Sequence, residues 1–151
     1  MRDEIDQTAA RRAWMSLLAK APAGRLEALA EAVSDWPAFT WLRVPETGGV
    51  MVRGRTGGTG AAFNLGEMTV TRCALRLESG EVGHAYVQGR DKRHAERAAV
   101  IDALMQTRRR DALRAAVLEP LEAGMKAGKA TRAAKAAATR VDFFTMVRGE
   151  D

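Results

Sequence analysis

Between Phe39 and Val87 the side chains change character at every second residue in several runs, and turn-length breaks separate those runs in pairs. This pattern constrains the fold more than anything else in the chain. Strands joined by short turns lie antiparallel, because a parallel pair needs a crossover of about a dozen residues or more. The first run, Phe39 to Val44, sets Phe39, Trp41 and Arg43 against Thr40, Leu42 and Val44. Pro45-Glu46-Thr47-Gly48-Gly49 has turn composition, and Val50 to Arg55 returns with Val50 and Val52 opposite Met51, Arg53 and Arg55. A third strand, Met68 to Leu77, puts Thr71, Cys73, Leu75 and Leu77 on one face and Arg72 and Arg76 on the other, which makes Cys73 a buried, inert thiol. Glu78-Ser79-Gly80-Glu81 turns into a fourth strand, Val82 to Val87, with His84 and Tyr86 opposite Ala85 and Val87. His84 reads as a hydrogen-bonded sheet residue, since local spacing ties no carboxylate or nucleophile to it.

Helical periodicity surrounds this block. Asp3 to Lys20 repeats Ala9, Ala13 and Leu17 at fourfold spacing beside Trp14 and Leu18, and Ala21-Pro22-Ala23-Gly24 ends it. A second helix, Arg25 to Val33, carries Leu26, Leu29, Ala30 and Val33 on its apolar side and stops at Ser34-Asp35-Trp36-Pro37. Trp14 and Trp36 read as core anchors. After Asp91 a third helix runs through Ile101 to Gln106 and is apolar around much of its girth, as burial against a sheet requires. Arg108-Arg109-Arg110 is a solvated run, Asp111 to Leu118 is helical, Pro120 and Gly124 mark a break, and Lys126 to Arg140 is an alanine-rich basic helix. The resulting expectation is one α+β domain over 1–151: helical from 1 to 38, a hairpin sheet of about four antiparallel strands from 39 to 88, helical from 91 to 140, and a docking tail from 141 to 149.

With 151 residues and 46% hydrophobic side chains the chain can bury a real core, yet no apolar run approaches the roughly 20 residues that span a bilayer. No signal sequence opens it, so a cytoplasmic location and no membrane partner are expected. One cysteine and two histidines exclude an internal disulfide and offer no recognisable metal cluster. The net charge of +5 permits nucleic acid, nucleotide phosphates or an acidic protein as partner. Single-strand binders interleave exposed aromatics with their cations, whereas only 5% of this chain is aromatic, so nucleic acid is not expected.

Two segments concentrate the candidate chemistry. Asp91 can cap the third helix, but Lys92, Arg93 and His94 then fill a first turn whose free N–H groups already favour negative charge. A phosphate or a partner carboxylate there would offset the repulsion, and long side chains reaching into water would lessen it. Gly54-Arg55-Thr56-Gly57-Gly58-Thr59-Gly60 can aim N–H groups at an anion or simply turn the chain; it lacks the Gly-Lys-Ser/Thr ending of a phosphate loop and the dinucleotide spacing. Arg53, Arg55, Arg72, Arg90, Lys92 and Arg93 are the candidate contacts to an anion or a partner. Phe143, Phe144 and Met146 are candidate docking residues of an apolar tail, on this domain's own core or on a second protein.

Glu46-Thr47-Gly48, Gly57-Gly58-Thr59-Gly60, Thr69-Val70-Thr71-Arg72, Val87-Gln88-Gly89-Arg90-Asp91-Lys92, His94-Ala95-Glu96, Ile101-Asp102-Ala103-Leu104-Met105-Gln106 and Val141-Asp142-Phe143-Phe144-Thr145-Met146-Val147-Arg148-Gly149 together resemble the PhnG family of the bacterial phosphonate carbon-phosphorus lyase system. The resemblance spans nearly the whole chain. It implies a subunit of the carbon-phosphorus lyase core complex that assembles with the H, I and J subunits, as a dimer of heterotetramers. It also implies a part in forming alpha-D-ribose 1-methylphosphonate 5-triphosphate and adenine from MgATP and methylphosphonate. The I partner would carry the nucleosidase activity, and the J partner an iron-sulfur cluster and S-adenosylmethionine. No cofactor is expected on this chain, no catalytic residue carries over to it, and a homodimer of the isolated chain stays open. A free-standing basic nucleotide or RNA-binding module is the alternative.

Overall fold

A computed structural model of the chain describes residues 2–141, with side chains from residue 6 onward. The candidate docking residues Phe143, Phe144 and Met146 lie outside the described residues. Two helices come first, α1 (Arg2–Lys20) and α2 (Ala23–Glu31), and their apolar sides put Trp14, Leu18, Leu26 and Ala30 into the core. Three strands follow, β1 (Phe39–Arg55), β2 (Ala62–Leu77) and β3 (Val82–Gln88), antiparallel in the order β1-β2-β3. Helix α3 (Lys92–Leu104) then crosses the sheet, and α4 (Arg110–Leu113), a π turn (Arg114–Leu118) and α5 (Glu119–Ala138) complete the described chain.

The sheet has three strands where about four were expected, because the expected first and second strands are one. Pro45-Glu46-Thr47-Gly48-Gly49 does not turn; Glu46 lies opposite Arg72, Thr47 opposite Thr71, Gly48 opposite Val70 and Gly49 opposite Thr69. Register irregularities between Trp41 and Arg43 and between Arg43 and Glu46 absorb the proline, which has no N–H to give to a ladder and is tolerated where pairing is interrupted. Cross-strand side chains hold the segment extended: Glu46 Oε1 accepts from Arg72 Nε at 2.6 Å, and the Thr47 and Thr71 hydroxyls lie 3.1 Å apart. The chain reverses instead in the Gly-rich segment, through a short 3₁₀ turn at Thr56–Gly58 in which Gly57 and Gly58 have φ of 59° and 82°. Residues with a Cβ adopt those angles only at a cost.

Alternation along β2 is as the sequence predicts: Thr71, Cys73, Leu75 and Leu77 are buried, and Arg72 and Arg76 are exposed. With Ala85 and Val87 of β3 they form the floor on which α3 packs through Ala95, Ala98, Ala99 and Ile101. Gly83 permits the close approach, since a Cβ there would lie 1.9 Å from the Ala99 carbonyl oxygen. The opposite face of the sheet, with Thr40, Arg72, Arg76, His84, Tyr86 and Gln88, is exposed.

The expected break at Pro120 and Gly124 does not occur either. Pro120 falls in the first turn of α5, directly after the π turn, where the change of hydrogen-bond pattern requires no donor from it. Leu121 is the one residue of α5 that is buried, so the part from Lys126 to Ala138, about 20 Å at 1.5 Å per residue, stands largely clear of the other described residues.

Candidate functional site

Where the helices meet the edge of the sheet, a buried carboxylate organises the junction. Asp102 sits on the otherwise apolar α3 with no exposed surface. Its Oδ1 accepts from Trp14 Nε1 at 2.8 Å and Arg11 Nε at 3.2 Å, and its Oδ2 from Arg11 Nη2 at 2.8 Å and the backbone N–H of His84 at 3.0 Å. Arg11 Nη2 and Gln106 Nε2 also donate to the Val82 carbonyl, at 2.9 and 2.8 Å. One carboxylate thus joins α1 to α3 and closes part of the free edge of β3, where unpaired backbone groups would otherwise invite another strand. Neither Asp102 nor Arg11 is among the residues that sequence reasoning selects. The available signal was a lone acid inside the apolar run Val100 to Met105.

The six candidate cations are not gathered into one site. Arg53 and Arg55 lie near the hairpin turn, both exposed, and Arg55 Nη1 donates to the Gly60 carbonyl at 3.2 Å. Arg72 lies in β2 on the face away from α3, ion-paired with Glu46 at 2.6 Å. The Arg43 and Arg72 guanidiniums together hold the Glu46 carboxyl below its ordinary range. Arg90, Lys92 and Arg93 come together at the start of α3. Asp91 caps this helix as the sequence predicts, its Oδ1 accepting from His94 N at 2.9 Å. Arg93 turns to α2, with Nε 2.7 Å from Glu27 Oε1 and Nη2 3.7 Å from Glu31 Oε1. Part of the negative charge that this turn calls for is therefore supplied from within the chain. Arg90 and Lys92 are exposed, and their side chains make no hydrogen bond or ion pair among the described residues.

Cys73, His94 and Thr71 are engaged in structure. Burial, with Glu96 adding to it, pushes the Cys73 thiol up to about 12, so it stays protonated and inert. The His94 ring is buried, with Nε2 2.8 Å from the Leu18 carbonyl oxygen. The Thr71 hydroxyl donates to the Gly89 carbonyl at 2.7 Å. His84 is hydrogen-bonded through its backbone, and it is exposed on the open face of the sheet. Among the described residues no group of three or more His, Cys, Asp or Glu could hold a metal ion, and no helix is long and apolar enough to cross a membrane.

A family model described as the phosphonate metabolism protein PhnG matches residues 9–149. The chain belongs to the PhnG family. The alpha-D-ribose 1-methylphosphonate 5-triphosphate synthase subunit PhnG of Rhizobium meliloti (strain 1021) is 50% identical over 143 residues, 95% of this chain and 92% of that protein. The PhnG match takes in Arg11 and Asp102, the whole sheet, both ends of α3 and all of α5. Phosphonate metabolism is thereby the setting in which these surfaces operate.

Proposed function

We propose that the chain is the PhnG subunit of an alpha-D-ribose 1-methylphosphonate 5-triphosphate synthase within the carbon-phosphorus lyase core complex. The observation that carries this is the 50% identity to the Rhizobium subunit over 95% of the chain. In this reading it assembles in the cytoplasm with the H, I and J subunits, and the assembly uses MgATP and methylphosphonate and releases adenine. The iron-sulfur cluster and S-adenosylmethionine belong to the J partner. The chain contributes form and positive potential, with Arg53, Arg55, Arg72, Arg90, Lys92 and Arg93 facing partner carboxylates or a nucleotide polyphosphate. The tail residues Phe143, Phe144 and Met146 dock on a neighbouring subunit.

The internal engagement of Cys73, His94 and Thr71 supports a recognition role. So does the exposure of Arg90 and Lys92 at a helix start that favours anions. Co-expression with the H, I and J subunits tests the assignment: a tag on this chain recovers all three in fixed ratio. Recovery of the tagged chain alone, with the other three assembled without it, overturns the assignment. Within an assembled complex, Arg90→Glu with Lys92→Glu lowers complex yield or synthase activity at least tenfold. Unchanged yield together with unchanged activity rejects those two contacts.

A further inference from the structure

Beyond the end of β3 the sheet narrows to a two-stranded ribbon. The last residue of β3 lies opposite Val70, but β1 and β2 continue together through seven further paired positions, from Gly49 opposite Thr69 out to Arg55 opposite Ala62, a reach of about 23 Å at 3.3 Å per residue. No helix and no third strand covers this ribbon among the described residues. An isolated two-stranded ribbon is marginally stable in water, and a bare one with apolar side chains invites association.

Its two faces differ, and an extra residue in β2 makes them differ. Val50 lies opposite Met68 and Val52 opposite Gly66, but the next pair is Arg53 with Asn64, so Leu65 is inserted and the alternation of β2 shifts by one. Phe63 is thereby brought opposite Gly54, on the side of Val50 and Val52. A Cβ on Gly54 would lie 3.6 Å from the tip of Phe63 and 3.9 Å from Leu65 Cδ1, so both side chains spread over that glycine. One face therefore carries Val50, Val52, Phe63, Leu65 and Met68 and runs on to Tyr86 on the open side of the sheet, with Leu65 67%, Tyr86 50% and Phe63 43% exposed. The other face carries Met51, Glu67 and the cations Arg53 and Arg55.

We infer that this ribbon is a docking arm, inserted into a cleft of a partner protein that has one apolar wall for the strip from Tyr86 to Phe63 and carboxylates on the wall facing Arg53 and Arg55. The inference rests on the assignment of the chain to a multi-subunit synthase and names the surface by which it enters one. Charge selects the occupant. Arg53 and Arg55 lie behind the strip, Arg76 lies further along the open face, where Arg72 is already paired with Glu46, and the chain carries +5 overall, so a second copy would bring like charges together while an acidic partner neutralises them. A nucleic acid would match the cations but leave the aliphatic strip in water.

The test compares Phe63→Glu and Leu65→Glu in the full chain, co-expressed with the H, I and J subunits, with Ala28→Glu on the exposed side of α2 as a control for added charge. Circular dichroism and thermal melting of each isolated variant establish that it folds. Should Phe63→Glu melt early, Leu65→Ser at the more exposed position replaces it. Recovery of the complex is expected to fall at least tenfold for the ribbon variants and to stay at the wild-type level for Ala28→Glu. Wild-type recovery with the ribbon variants would overturn the arm and leave the subunit assignment standing. Failure of the wild-type chain itself to assemble would overturn both. A homodimer of the isolated chain that Leu65→Glu dissolves would replace the acidic partner by a second copy, and RNA binding that Leu65→Glu abolishes would replace it by nucleic acid; either result contradicts the inference.

Discussion

A carboxylate with no exposed surface is stable only where donors surround it, and Asp102 has two contacts from Arg11, one from Trp14 and one from the His84 backbone. Asp102→Ala leaves the Arg11 guanidinium and the Trp14 N–H without their acceptor, and a loss of about 3–5 kcal/mol is expected in urea unfolding. Replacing the pair with apolar residues, Arg11→Met with Asp102→Leu, is expected to recover part of it; equal losses for the single and the double variant would contradict the pairing. Cys73 supplies a pH dependence. Its folded-state pKa is raised from 9.0 to about 12, so the unfolded chain releases this proton first. The contribution to stability is complete below about pH 9 and is lost as pH rises toward 12, at no more than about 1.4 kcal/mol per pH unit. Cys73→Ala is expected to flatten the stability profile in that window, and an identical slope in both proteins would refute it. The sequence shows Cys73 on a buried face because alternation is local. It does not show Asp102 as a hub, because Arg11 is 91 positions away and no spacing rule links them.

At the scale of elements, what neighbours decide is what the sequence hides. The faces of β2 and β3, the cap at Asp91 and the near-complete burial of α3 follow from period and local chemistry. The joint at Pro45-Glu46-Thr47-Gly48-Gly49 has the composition of a turn, yet Arg72 and Thr71 on the facing strand keep it extended. Pro120 reads as a break for the same reason, since a π turn that relieves it is not a compositional signal. The candidate cations were legible one by one, but their division among ribbon, sheet and α3 depends on tertiary structure. Gly83 provides the sharpest test of how α3 meets the sheet. A methyl group there would lie 1.9 Å from the Ala99 carbonyl oxygen and 2.9 Å from Ala103 Cβ, so Gly83→Ala must displace the helix. A loss of about 1–3 kcal/mol is expected in thermal unfolding, and an unchanged melting temperature would mean that α3 packs otherwise.

The described residues form a helical layer on one side of a small sheet, with an open face, a ribbon that no other described element covers and a helix whose outer part extends about 20 Å. Such a shape buries Cys73, His94 and Asp102 and displays its cations and apolar strip, as suits a part made to fit against others. The central claim is that this PhnG-family chain enables bond chemistry performed by an assembly and performs none alone. Adenine release from MgATP and methylphosphonate, measured with purified H, I and J subunits before and after adding this chain, tests it most directly. The account predicts release that depends on the chain and no release by the chain alone; equal release without it, or turnover by the isolated chain, would contradict the account.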